Sequence, residues 1–189
     1  MILLLIACMP ATNDDTATTT TVDDDTVVVG VPESLSSMNP ELLPQSADAC
    51  REPELVEVTY VVDGDTFDAV AKWGGETVRI IGLNTPEIDH NGGDSDCYGR
   101  EAADYTESQL DGNWVWLSFD VECEDRYERT LAYVTVSDEP IVGFFQRDLL
   151  RQGFAEGFEF EPNVSYADLL SADEAYAKSR DIGLWGACD

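Results

Sequence analysis

The sequence has few basic residues. It contains 10 lysines and arginines against 39 aspartates and glutamates, a net charge of -29. Residues 1–50 hold eight of these acids and no base, which leaves 31 acids, 10 bases and a net charge of -21 for residues 51–189. Nucleic-acid-binding proteins usually present a basic face, so this balance argues against such a partner and favours a cation binder, a high-salt protein or a very soluble one. Salt weakens the objection, because it screens exposed charges beyond about 8 Å at physiological ionic strength.

The sequence also lacks any C-x-x-C pair, which argues against a zinc ribbon or a thioredoxin-like motif. Cys8 stands apart from the other four cysteines, directly after an apolar stretch. The others could form two disulfides in three possible pairings in an oxidising compartment, or remain buried thiols in the cytosol. These four are Cys50, Cys97, Cys123 and Cys188.

The apolar run at the start, MILLLIAC, is too short to cross a bilayer, which takes about 20 residues. Its end, Leu5 to Cys8, resembles a bacterial lipobox, in which the cysteine is lipidated. Because the run lacks a positive n-region, either the true start lies upstream or this resemblance is chance. We expect residues 1–8 to be a signal remnant. The protein would then be secreted, or be a lipoprotein held at the bacterial cell envelope by an acylated Cys8.

Residues 9–50 are rich in Thr, Asp, Ser and Pro, a composition that cannot support a core. It predicts a flexible acidic tether. Residues 51–189 are predicted to form one folded domain.

The folded part shows strand-like alternation over VEVTYVVDGDTFDAVAKW, with a break at 63–65, and again over ETVRIIGL. Two further strands are predicted at 114–121 and 130–136. Helical patterns follow over 99–110, 144–152 and 165–185. Five short strands with three helices predict an α+β fold, mainly β: a five-stranded OB-type barrel with the helices packed outside.

Several polar residues stand where strands prefer apolar ones. Oxygen ligands from Asp65, Asn84 and a nearby backbone carbonyl suit a hard cation such as Ca²⁺. Arg79 and Arg129 could clamp a phosphate, and Glu87 could accept a proton from an attacking water. Together these groups would hydrolyse a phosphodiester. The alternative is purely structural, with Arg79 paired to Glu87 to support a tight loop.

Four segments carry a resemblance to a known family. They read VVDGDT at 61–66, VRIIGLNTPE at 78–87, YGREA at 98–102 and DRYERTLAY at 125–133. The likeness continues through LLRQGFA at 149–155 to GLW at 183–185. In order and spacing they closely resemble the staphylococcal nuclease (thermonuclease) family over residues 56–186.

The resemblance implies an OB barrel with three helices and a Ca²⁺-dependent nuclease that cleaves DNA and RNA to 3′-phosphates. It implies Asp65 as a metal ligand, Thr85 as a ligand through its backbone carbonyl, and a monomeric protein. Arg79 and Arg129 match the family's phosphate-binding arginines, and Glu87 its catalytic glutamate. Tyr127 matches a tyrosine near the 5′-phosphate.

Three departures from the family pattern affect the site. Asn84 replaces an aspartate, which removes one negative charge and predicts weaker metal binding. Glu128 replaces a glycine, and its carboxylate could pair with Arg126 or point outward. Phe158 and Phe160 stand near the family's base-stacking tyrosines. They could stack on a base or simply cover the barrel.

Other residues near the site have less specific interpretations. We expect His90, the only histidine, to be a solvated loop residue. With the family as a guide, we predict one bridge from Cys97 to Cys123 beside the site and another from Cys50 to Cys188 that pins the domain's ends. Two other functions stay open, a non-catalytic nucleic-acid- or protein-binding module on this fold and a surface cation-binding lipoprotein.

Overall fold

The computed structural model describes residues 30–72, 74–90 and 93–188. The predicted signal remnant at 1–8 with its lipidation candidate Cys8, and the first part of the predicted tether, lie outside these ranges. No helix in the described ranges is long and apolar enough to cross a membrane.

Five strands close into a barrel in the order β1-β2-β3-β6-β5, with β1 pairing β5. Side chains alternate along them as the sequence predicts: in β1, Val56 and Val58 are fully buried, whereas Glu57 is exposed. The five-stranded barrel is therefore confirmed. The strands are β1 Glu54–Val61, β2 Thr66–Ala71, β3 Gly74–Ile80, β5 Trp114–Ser118 and β6 Thr130–Thr135.

The pairing of β3 with β6 positions the candidate residues. These strands run parallel, with Arg79 opposite Leu131. Arg129, two residues before Leu131, therefore lies at the same end of the barrel as Arg79. A short ribbon of β4 (Leu83–Asn84) and β7 (Glu156–Gly157) extends this end.

The helices pack outside the barrel, as predicted. They are α1 Glu33–Ser36, α2 Gly99–Leu110, α3 Phe145–Arg151, α4 Ala167–Lys178 and α5 Leu184–Ala187, with a 3-10 helix at Pro40–Leu42. The single helix predicted over 165–185 is wrong, because the chain turns between α4 and α5. Gly183 has φ 62°, and a Cβ on it would lie 2.3 Å from the Gly153 carbonyl oxygen, so only glycine fits this close approach.

Residues 30–50, which we name the N-terminal arm, are packed on the barrel. This part of the predicted flexible tether over 9–50 is therefore corrected. Leu35 and Leu43 are buried and form a small core with Trp116 of β5. The Trp116 indole N–H donates to the Leu35 carbonyl oxygen at 2.9 Å. The composition did predict too few apolar residues for an independent core. It could not show that the barrel offers an apolar surface to the few that are present.

The disulfide pairing differs from the predicted one. Cys50 bonds Cys123 and Cys97 bonds Cys188, with Cα–Cα distances of 5.7 and 5.9 Å. The N-terminal arm runs beside the end of β5, where the Cys50 N–H donates to the Asp120 carbonyl oxygen at 2.8 Å. This contact brings Cys50 to the segment that holds Cys123, and Cys188 instead lies beside Cys97.

Candidate active site

Asp65 sits in the turn between β1 and β2 and is 5% exposed. One carboxylate oxygen accepts the Thr85 backbone N–H at 2.8 Å and the other accepts the Thr66 hydroxyl at 3.1 Å. The turn packs tightly on Thr85, since a Cβ on Gly64 would lie 2.7 Å from the Thr85 side chain. The Thr106 hydroxyl of α2 donates to the Gly64 carbonyl oxygen at 2.8 Å. These contacts fix the carboxylate against the loop after β4.

The charge state of Asp65 reflects this burial. Burial raises the pKa of the Asp65 carboxyl to about 6, although the Arg79 guanidinium beside it acts to lower that pKa. Keeping the carboxylate charged in this position therefore costs free energy, which a second nearby cation would offset.

Arg79 bridges two of the predicted metal ligands. Its Nη1 lies 3.0 Å from an Asp65 carboxylate oxygen, and its Nη2 donates to the Asn84 side-chain oxygen at 2.8 Å. Nη1 also donates to the Ile80 carbonyl oxygen at 2.7 Å. The structural alternative, an Arg79–Glu87 pair, is therefore wrong, because Arg79 is held by Asp65 and Asn84 instead.

The oxygen donors predicted to bind a metal lie together. Asp65 accepts from the Thr85 N–H, and the Asn84 amide donates to the Thr85 carbonyl oxygen at 3.4 Å. Within the described ranges, no group of three or more His, Cys, Asp or Glu side chains could hold a metal ion. A cation here would depend on one carboxylate, one amide oxygen and one backbone carbonyl. This all-oxygen set fits a hard cation such as Ca²⁺, with one negative charge to attract it.

Glu87 lies on the loop after β4 and is exposed. Its backbone N–H faces an Asp96 carboxylate oxygen at 3.3 Å, and its carbonyl oxygen accepts the Asp96 N–H at 2.9 Å. The residue lines a cavity of about 270 Å³ together with Asn84, Thr85 and Glu156, which we name the glutamate cavity. The backbone contacts hold the loop in place and leave the carboxylate facing solvent.

Arg129 precedes β6 and points into a second cavity, of about 120 Å³, which we name the arginine cavity. Arg79 forms part of the same wall, as do Phe158 and Phe160, which are 51% and 40% exposed. The Arg79–Asn84 hydrogen bond links the arginine cavity to the glutamate cavity. The structure thus gathers the two predicted arginines and both phenylalanines around one opening.

Asp125 is a site residue that the sequence analysis did not assign. Its carboxylate lies 2.7 Å from Nη2 of Arg129 and accepts from Nε at 2.8 Å. The spacing of four residues inside the DRYER segment was the available signal, but that spacing predicts a side-chain contact only within a helix. Thr106, which supports the Asp65 turn, gave no signal in the sequence.

The segment around Arg129 also places Tyr127 and Glu128, and the loop after β4 places His90. Tyr127 is 63% exposed, and the Arg126 guanidinium lies 4.6 Å from its ring centre. Arg126 donates to the Tyr127 hydroxyl at 2.5 Å, so its contact is with this ring rather than with Glu128. His90 is exposed, in line with a solvated loop residue.

The backbone of Glu128 is strained, because its φ of 64° lies in the left-handed region that favours glycine. Replacing Glu128 with glycine should raise the free energy of unfolding by about 1 kcal/mol, measured by urea denaturation. Glu128→Gln removes the charge but keeps the side chain, and should change that free energy by less than about 0.5 kcal/mol. An equal gain in both variants would show that charge, not backbone strain, is responsible.

Comparison with known proteins agrees with this geometry. A profile of staphylococcal nuclease homologues matches residues 77–187. A thermonuclease of Staphylococcus intermedius is 34% identical over 140 residues, which cover 74% of this chain and 80% of the relative. A thermonuclease of Staphylococcus hyicus is 32% identical over 129 residues, covering 68% and 74%. Endonuclease YncB of Bacillus subtilis is 32% identical over 138 residues, covering 71% and 64%.

Proposed function

This chain belongs to the staphylococcal nuclease family, and from that premise we propose that it is a Ca²⁺-dependent nuclease that cleaves both DNA and RNA and leaves 3′-phosphates. The observation that carries the proposal is the pair of arginines, Arg79 and Arg129, on the wall of one cavity. A hydrogen bond joins Arg79 to Asn84, whose neighbours include the exposed Glu87. Membership of the family supports a nuclease. The dependence on Ca²⁺, the DNA and RNA substrates and the 3′-phosphate products are what we propose.

In the proposed reaction the two guanidinium groups bind the scissile phosphate and stabilise the negative charge that builds on it. Glu87 accepts a proton from a water molecule, whose oxygen forms the new bond to phosphorus. The bond from phosphorus to the 5′-oxygen breaks, and that oxygen takes a proton from solvent and leaves as a hydroxyl. The phosphate remains on the 3′ side.

Asp65, Asn84 and the Thr85 carbonyl would hold the cation. A bound Ca²⁺ supplies Lewis-acid stabilisation of the phosphoryl oxygens and helps to orient the water. The chain's own contribution is to bury the Asp65 carboxylate 3.0 Å from Nη1 of the phosphate-binding Arg79.

The aromatic residues around the opening fit base contact without sequence readout. Phe158 and Phe160 line the arginine cavity and are exposed, and Tyr127 is exposed next to Arg129. Stacking on such rings is tolerant of base identity, which is what a nuclease without sequence specificity needs.

A non-catalytic binding module on the same fold is the rival function. Such a module has no need for the cluster of Asp65, Arg79 and Asn84, in which a buried carboxylate and a guanidinium are held at a desolvation cost. The backbone of Glu87 makes the contact that holds its loop. The exposed Glu87 side chain beside that cluster is therefore not needed to support the loop. Both features favour catalysis.

Removing divalent cations should abolish cleavage, and adding Ca²⁺ should restore it. Asn84→Asp should bind Ca²⁺ roughly tenfold more tightly, because it adds a second carboxylate to the donor set. Titration calorimetry with CaCl₂ measures the affinity, and digestion of labelled DNA and RNA measures activity. Wild-type protein that digests neither substrate with Ca²⁺ at any salt concentration would contradict the proposal.

The activity assay should also vary the salt concentration, because more than half of the lysines and arginines already form ion pairs. Among the described residues, at least six of the ten form ion pairs with acids: Arg51, Arg79, Arg129, Arg147, Arg151 and Lys178. A polyanion therefore approaches a chain of net charge -29, in which Arg79 and Arg129 lie together at the arginine cavity. We expect added salt to assist this approach up to the concentration at which it weakens the arginine contacts.

The two disulfides suit an oxidising compartment, so we propose that the protein acts outside the cytosol. We further propose, from the family resemblance, that it acts as a monomer. Cys8 would be the acylation site if the chain is held at the cell envelope. Labelling with a radioactive fatty acid, with Cys8→Ser as the control, distinguishes an anchored from a secreted protein.

A further inference from the structure

The Asp125 carboxylate makes four contacts within its own segment. One oxygen, Oδ1, accepts the backbone N–H groups of Tyr127 at 2.8 Å and of Arg129 at 3.0 Å. The other oxygen, Oδ2, accepts Nε of Arg129 at 2.8 Å and lies 2.7 Å from its Nη2. The side chain is 7% exposed. One oxygen therefore shapes the turn, and the other holds the guanidinium.

The turn itself is closed by backbone hydrogen bonds. The Asp125 N–H donates to the Arg129 carbonyl oxygen at 3.1 Å, and the Glu128 N–H donates to the Asp125 carbonyl oxygen at 3.0 Å. Glu124 forms an antiparallel bridge with Thr130, the first residue of β6. Asp125 and Arg129 thus face each other across a narrow turn attached directly to the barrel.

This contact decides which Arg129 donors a ligand can reach. Arginine has five N–H donors, and the Asp125 contacts engage Nε and Nη2. The two Nη1 N–H groups and the second Nη2 N–H remain for a ligand in the arginine cavity, which Asp125, Arg129 and Arg79 all line. A long side chain without such a partner would sample many rotamers, and few of them would direct a donor at a phosphate shared with Arg79.

The contact also brings a negative charge next to a phosphate-binding group. Burial acts to raise the pKa of the Asp125 carboxyl, but the N–H groups of Arg129 and Tyr127 lower it overall. Asp125 therefore remains charged and reduces the attraction of the arginine cavity for phosphate. Substrate affinity therefore does not account for an acid in this position, whereas shaping the turn through Oδ1 and placing the Arg129 guanidinium through Oδ2 both do.

We propose that Asp125 is a positioning residue, which holds the Arg129 guanidinium in the orientation that binds the phosphate as charge builds on it. This inference rests on the proposed role of Arg129 in the nuclease reaction. Asp125 should therefore raise the rate of the chemical step and, to a smaller extent, weaken substrate binding.

Asp125→Asn isolates the guanidinium contact. The amide keeps Oδ1 as acceptor for the two backbone N–H groups, and its NH₂ group replaces Oδ2, where it meets the Arg129 donors without accepting from them. We expect kcat for DNA cleavage to fall about 10- to 100-fold. KM should stay the same or fall, because a negative charge near the phosphate is lost. The melting temperature should change little.

Glu124→Gln is the matched control, since it removes one exposed carboxylate from the adjacent position. Its kcat should stay within twofold of wild type. In an Arg129→Ala background, Asp125→Asn should have no further effect on kcat, because Asp125 acts through Arg129. A purely structural role would instead lower kcat again in that background.

The Arg129 Nε–H signal in ¹⁵N NMR spectra gives a readout independent of activity. It should exchange slowly with solvent in wild type and in Glu124→Gln, and rapidly in Asp125→Asn. Asp125→Asn with a wild-type kcat, or with a further loss of kcat in the Arg129→Ala background, would overturn the inference. A protected Nε–H signal in a wild-type protein without nuclease activity would instead defeat the proposed function and leave the Asp125 contact intact.

Discussion

Glu87→Gln should lower kcat for DNA cleavage by about 10² to 10⁴, the usual contribution of a general base. The amide has the shape of the carboxylate but cannot accept the proton of the attacking water. Glu87 is exposed, and its loop is held by backbone contacts with Asp96, so the melting temperature should remain that of wild type. Steady-state kinetics on labelled DNA and a thermal melt measure the two quantities.

Glu156→Gln is a suitable control for this experiment, because Glu156 is an exposed acid that lines the same glutamate cavity. A similar loss of kcat in both variants would mean that negative charge in the cavity, rather than proton acceptance by Glu87, drives the reaction. Glu87→Gln with full activity would remove Glu87 from the mechanism.

Loss of either disulfide should cause the largest change in stability. The bridges join residues 73 and 91 positions apart. In the chain-entropy treatment, loops of this length stabilise the folded protein by about 4 to 5 kcal/mol each. Replacing both cysteines of one pair with serine should therefore lower the melting temperature by roughly 10 °C or more. Denaturation with and without reductant measures the effect.

The two bridges also differ in what they hold. Cys50–Cys123 attaches the N-terminal arm to the segment before Asp125, and Cys97–Cys188 attaches the C-terminal end to the wall of the glutamate cavity. Cys8→Ser serves as the control, because Cys8 belongs to neither pair, and it should melt at the wild-type temperature. Peptide mapping without reduction should recover both pairs. A Cys97–Cys123 peptide would contradict the pairing.

The barrel could be predicted because its strands depend on short-range pattern. The alternation of Val56, Glu57 and Val58 determines which face of β1 points inward, wherever the strand lies in the fold. Helix α2 could likewise be predicted from the helical pattern of its own residues. The break between α4 and α5 was missed, since it arises from the close approach of Gly183 to Gly153, which lies 30 residues earlier.

The family resemblance predicted the residue types of the site, and folding determined how they are partnered. Arg79 could have paired with Glu87 or faced a phosphate, and its contacts with Asp65 and Asn84 depend on the turn between β1 and β2 meeting the end of β3. Asp125 was visible in the sequence only as the first residue of the DRYER segment, four residues before Arg129. Its role emerged when the segment before β6 closed into a turn.

The strand pattern of the barrel, the family and the identities of the acid, amide and arginine groups could all be read from the amino-acid sequence. These are properties of single residues and of their near neighbours along the chain. The folded chain was needed to show that residues 30–50 pack on Trp116, that Cys50 pairs with Cys123, and that Asp125 holds Arg129. Each of these contacts needs two surfaces or two side chains to meet in the folded chain, and such a meeting depends on all the packing between them.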